Sequence, residues 1–117
     1  MPDIRLKKIA ELYRHEIARM LISDFRDPRL AGVEITHAMI TPDLRIARVY
    51  FDMPGGRSRE QEVLKSFLKA KRFIKKEIAA KIRLRHTPDL QFFYDEAHEL
   101  TEHVEDLFKQ IENEKKQ

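Results

Sequence analysis

Leu84-Arg85-His86-Thr87-Pro88-Asp89-Leu90-Gln91-Phe92-Phe93-Tyr94 decides the fold of this 117-residue chain. Thr87-Pro88-Asp89 halts a helix, because proline disfavours the α conformation in the residue before it. Leu90 to Tyr94 is aromatic enough to form a strand. Upstream, Ser58 with Gln61 has the form of a capping box. Val63, Leu64, Phe67 and Leu68 then recur at helical spacing, and helix resumes through Phe73, Ile74, Ile78 and Ile82.

Further toward the N-terminus, Val33, Ile35 and Met39 share one parity. Ile46, Val49, Tyr50 and Phe51 form a second β-rich run after Thr41-Pro42-Asp43, so the pair predicts a hairpin. Ile9, Leu12, Tyr13, Ile17, Met20 and Leu21 draw the apolar stripe of a first helix, with Asp3 as its N-cap. Asp27-Pro28 ends that helix and Gly32 opens the next element. Beyond Tyr94, Leu100, Val104, Leu107, Phe108 and Ile111 mark a terminal helix that frays over residues 112–117. The expected order is helix, strand, strand, helix, helix, strand, helix: an α+β sandwich with helices packed on one face of a small sheet.

A chain of this length can bury one core without covalent staples. It has no cysteine, which removes disulfides, thiolate metal sites and cysteine nucleophiles and fits a reducing cytoplasm. No signal-peptide pattern and no apolar run of membrane-spanning length is read, so a cytoplasmic protein without membrane association is expected. Residues 1–90 carry 20 Lys+Arg against 12 Asp+Glu, and residues 91–117 carry 3 against 8. A basic body with an acidic end predicts a polyanion-binding surface and a segment that keeps clear of it or faces another partner.

The densest charge lies at Lys65, Lys69, Lys71, Arg72, Lys75, Lys76, Lys81, Arg83 and Arg85. At 3.6 residues per turn Lys65, Lys69, Arg72 and Lys76 form a ridge able to face successive phosphates. In the same register Lys71 falls among Leu64, Phe67 and Ile78, and an unpaired buried ammonium is costly. A kink at Ala70-Lys71-Arg72 is therefore expected, turning Lys71 outward at a basic corner between two helices. Arg5, Lys7 and Lys8, with Arg14 and Arg19, make a second cluster on the first helix. Arg26, Arg29, Arg57 and Arg59 are weaker candidates. Tyr50, Phe51, Phe92, Phe93 and Tyr94 resemble a base-stacking set, but core packing is the expectation for a sheet covered by helices.

Catalytic signals are thin, and no enzyme activity, cofactor or metal is expected. His98 and His103 are five apart, the wrong spacing for two ligands on one helical face, and read as surface histidines. There is no nucleophile elbow and no phosphate-binding glycine loop. The spacing of His37, Asp43 and His86 predicts nothing.

Asp27-Pro28-Arg29, Val33 through Thr41 with Asp43-Leu44, Ala47-Arg48-Val49-Tyr50, Phe73-Ile74, and Leu84 through Leu90 running into Phe92-Phe93-Tyr94-Asp95 stand in an order that resembles the ribosome-binding factor A family. The resemblance implies a single-domain, type II KH-like fold without the glycine loop of other KH domains. Its KH-like RNA-binding part would span residues 1–96, with an acidic amphipathic helix and frayed tail over 97–117. It places Ala70-Lys71-Arg72 at the family's helix interruption, where Arg72 stands in place of the usual glycine. It further implies a monomeric assembly factor that binds the free small (30S) ribosomal subunit and its 16S rRNA, promotes late maturation, matters in the cold, acts by binding only and is functionally linked to an assembly GTPase and to initiation factors. The competing expectation is a protein–protein interaction module that uses the C-terminal helix.

Overall fold

The computed structural model describes residues 3–115. Asp3 caps the first helix, α1 (Ile4–Ser23), by accepting a hydrogen bond from the Arg5 N–H at 2.9 Å. Ile9, Ala10, Tyr13, Ile17 and Met20 are its buried stripe, while Leu12, expected among them, is half exposed. Asp27 then caps a short 3-10 turn at Pro28–Leu30, which leads through Gly32 into the hairpin β1 (Glu34–Ile40) and β2 (Ile46–Asp52). A second 3-10 turn, Gly56–Arg59, precedes α2 (Glu60–Lys81), and β3 (Asp89–Tyr94) and α3 (Glu96–Lys115) complete the chain. The sheet order is β1-β2-β3, with β1 antiparallel and β3 parallel to the central β2.

Four details differ from expectation. The register of β1 shifts between Ile35 and His37, so Thr36 is an extra residue and the side-chain parity reverses. Ile35, Ala38 and Ile40 point into the core and Met39 points out. The capping box does not form: Ser58 Oγ donates to the Gly55 carbonyl at 2.8 Å within the 3-10 turn, and α2 starts at Glu60 without a side-chain cap. The two helices expected on either side of Ala70-Lys71-Arg72 are one continuous α-helix, whose buried residues Val63, Phe67, Ile74 and Ile78 keep a single stripe across that point. Finally, α3 continues to Lys115, past the start of the expected fray, whose remaining residues Lys116 and Gln117 lie outside the described residues.

The core is the layer between one sheet face and α1 and α2. Alternation presents Ala47, Val49 and Phe51 from β2 and Leu90, Phe92 and Tyr94 from β3 to the helices. The Phe67 ring stacks on Phe92 with centroids 4.6 Å apart and planes 7° apart, and lies 5.2 Å from Phe51. Burial pushes the Tyr13 phenol up to about 12. Replacing Phe67 by Ala removes a fully buried ring from the contact between α2 and the sheet; unfolding in urea followed by circular dichroism is expected to show a loss of roughly 3–5 kcal/mol. Leu68→Ala, at a side chain 61% exposed, is expected to stay within about 0.5 kcal/mol of the wild type.

Candidate nucleic-acid interface

Lys65, Lys69, Arg72 and Lys76 lie on the face of α2 opposite its buried stripe, because each residue advances the helix by about 100°. All four are exposed, and none forms an ion pair among the described residues. Over 11 residue steps the ridge runs about 17 Å along the helix axis at 1.5 Å per residue. Four cations in line with no acid between them attract a polyanion without first giving up a partner of their own.

The other cations of α2 are engaged. Lys71 and Lys75 both reach Asp89 at the start of β3, at 3.0 and 3.5 Å, and Lys81 bonds Glu16 of α1 at 3.1 Å. Asp89 answers the problem that made a kink attractive: Lys71 sits at the border of the buried stripe with a carboxylate partner and partial solvent access, so the helix has no need to break there. Arg83 and Arg85, exposed, follow in the connection to β3.

Arg5, Lys7 and Lys8 are exposed on the first turns of α1, over the β1 side of the sheet, whereas α2 packs beside β3. Lys7 borders a cleft with Ile40 and Pro42, and Lys71 and Lys75 meet Asp89, which pairs with Ile46. Both basic groups thus reach the end of the sheet that carries the turn between β1 and β2. Arg14 and Arg19 instead hydrogen-bond Glu11 and Glu16 one turn away, and Arg29 bonds Asp27. Arg57 pairs with Glu60 and Glu96, and Arg59 with Glu62. These arginines tie local structure together.

The aromatic set divides. Phe51, Phe92 and Tyr94 are core residues, as expected, but Tyr50 and Phe93 lie on the opposite face, which α1 and α2 leave open. Strand alternation alone could have separated them, since Tyr50 and Phe93 are each one residue out of phase with a core aromatic.

The terminal helix does not join the core. No residue of α3 is buried, and Leu100 and Phe108 are 64% and 63% exposed; the stripe does not pack back onto the rest of the chain. Its first turns are anchored by polar contacts. Thr36 donates to the Asp95 carboxylate, which also accepts the His98 N–H at 2.9 Å. Burial pushes the Asp95 carboxyl up, but these two bonds outweigh it and hold the group below the usual carboxylate range. Arg57 bonds Glu96. His98, read from sequence as a surface histidine, is partly buried with Nε2 3.0 Å from Glu102 and 3.8 Å from Asp52. Asp52, His98 and Glu102 are the one group among the described residues whose donor atoms could share a metal ion, all within 4.8 Å of one another. No helix among the described residues is long and apolar enough to cross a membrane.

A three-stranded sheet with two helices on one face and an unpaired line of cations along the second helix defines a small KH-like α+β protein with a surface suited to a polyanion. The family model for ribosome-binding factor A matches residues 5–108. A ribosome-binding factor A from Thermomicrobium roseum is 36% identical over 115 residues, 98% of this chain and 89% of the relative. The chain therefore belongs to the ribosome-binding factor A family. Other structures share the fold, among them two of the Thermus thermophilus factor. One is the crystal structure of ribosome-binding factor A from Thermus thermophilus, at TM-score 0.68 and 20% identity over 76% of this chain and 94% of that one. The other is a homology model of the T. thermophilus factor fitted into the cryo-EM map of its complex with the 30S subunit, at TM-score 0.62 and 20% identity over 75% and 92%.

The Lys71 hydrogen bond holds the Asp89 carboxyl below its usual range against the upward push of desolvation, and the charges of Lys71 and Lys75 lower it further. A depressed folded value means that this contribution to stability is present above the unfolded value of about 3.9 and is lost as pH falls through the folded one. Half the Asp89 side chain is exposed, so the contribution is small. Lys71→Met is expected to move the Asp89 titration, followed by carboxyl-carbon NMR, back up toward the ordinary range; an unchanged midpoint would show that the ion pair does not set it.

Proposed function

We propose that this protein is an assembly factor that binds the free small ribosomal subunit, contacts its 16S rRNA and promotes late maturation by binding alone. The observation that carries this reading is the ridge of Lys65, Lys69, Arg72 and Lys76, four exposed cations without partners among the described residues, in a chain of the ribosome-binding factor A family. The T. thermophilus factor fitted into a map of a 30S complex lends support. Phosphate attraction at such a ridge is independent of base sequence, so it supplies affinity and register. Preference for one RNA conformation then shifts the folding equilibrium of the RNA without fuel. In this reading the protein acts as a cytoplasmic monomer that matters most in the cold, where misfolded RNA rearranges slowly. Its departure is coupled to an assembly GTPase and to initiation factors, and the KH-like part, residues 1–96, holds the RNA.

A second reading, a protein–protein contact through α3, is favoured by one observation: Leu100, Val104, Leu107, Phe108 and Ile111 are all at least 40% exposed on one helix. Deleting residues from Thr101 onward removes no buried side chain, so the shortened chain is expected to fold. If subunit binding is lost while folding is kept, α3 is part of the interface.

Co-sedimentation with isolated small subunits and with assembled ribosomes, at several salt concentrations, tests the main reading. Selective, salt-sensitive binding to free small subunits is expected; equal binding to both would reduce the protein to a general RNA-binding domain. Changing Lys65, Lys69, Arg72 and Lys76 to Gln together is expected to weaken binding and to flatten the dependence of log K on log salt by about 0.7–0.9 for each phosphate no longer neutralised. An unchanged slope would remove the ridge from the interface.

A further inference from the structure

We propose that the uncovered face of the sheet is a second RNA site, which takes unpaired nucleotides by stacking their bases on Tyr50 and Phe93. The choice of RNA as ligand rests on the function proposed above; the surface and the state of the RNA are different ones.

The bulge at Thr36 and the two strand registers place His37 opposite Tyr50 and Tyr50 opposite Phe93. Tyr50 and Phe93 stack at 5.5 Å with planes 29° apart, and His37 follows at 5.7 Å and 36°. One ring from each strand makes a row across the full width of the sheet. Phe93 is 39% exposed, and nothing in the core needs a ring at either Tyr50 or Phe93. Such a row offers π faces to successive bases whatever their identity.

The neighbouring row is Met39, Arg48 and Gln91. Arg48 is partly exposed on this face, and a guanidinium can donate to phosphate or base oxygens. At the His37 end the row opens into a cavity of about 400 Å³ walled also by Thr36, Asp95, His98 and Thr101. Stacked rings, a guanidinium and an amide together are the chemistry of single-stranded RNA recognition, and this set lies apart from the exposed ridge of α2.

The probes are fluorescein-labelled octauridine and a labelled RNA hairpin, followed by fluorescence anisotropy with the full chain. The double variant Tyr50→Leu, Phe93→Leu is expected to lose roughly tenfold or more in octamer affinity, within the range for a lost stacked base, and to bind the hairpin within about twofold of the wild type. Photocrosslinking of an octamer carrying 5-iodouridine to the unaltered protein guards against a variant that fails to fold; adducts at Tyr50 or Phe93 are expected. A folded double variant that binds the octamer like the wild type, or adducts confined to the lysines of α2, overturns the proposal. So does an octamer that fails to bind the wild type while hairpin and small-subunit binding persist, a result that leaves the ridge reading standing.

Discussion

The parallel pairing of β2 with β3 is the constraint on which the rest depends. Two parallel neighbours cannot be joined by a tight turn, so the chain has to travel back along the sheet before β3 can begin. A helix of 22 residues, α2, makes that journey, about 33 Å at 1.5 Å per residue. It covers one sheet face, where Phe67 stacks on Phe92, and that contact fixes which side of α2 is dry. The side left in water is then determined, and the ridge cations are the residues that fall there. The same choice leaves the other face of the sheet bare apart from the neighbourhood of the α3 anchor. Fold and surface chemistry thus follow from a single strand pairing.

Features that depend on neighbours close in sequence were legible. The α1 stripe, the hairpin, the start of β3 and the Asp3 cap all rest on spacing within a few residues, and each is found. Features that depend on distant partners were not. Lys71 looked misplaced in the stripe because its partner, Asp89, lies 18 residues further on; without that carboxylate, breaking the helix was the cheaper solution. The parity of β1 failed for a related reason, since the bulge at Thr36 is defined only against β2. Ser58 is the local exception: it has the form of a cap, but with Gly55 and Gly56 in the left-handed region its hydroxyl donates to the Gly55 carbonyl three residues back.

The charge pattern has the same limit. A run of lysines and arginines shows how much positive charge a segment holds and nothing of how much is available. Lys71, Lys75 and Lys81 are partnered by acids 14 to 65 residues away, whereas Lys65, Lys69, Arg72 and Lys76 are not partnered among the described residues. The effective basic surface of α2 is therefore narrower than its composition, and more sharply directed. The aromatic residues carry a parallel lesson: one residue of phase separates Phe92, in the core, from Phe93, on the open face.

α3 places no side chain in the core, and that frees it from the selection that acts on packing. A substitution at Leu100 or Phe108 creates no cavity and exposes nothing that was dry. Where a family keeps such a helix apolar on one side, the pressure to do so must come from outside the molecule. Sequence drift along this stripe in relatives therefore records the history of whatever surface it meets, while drift in the buried stripes of α1 and α2 records the history of the fold.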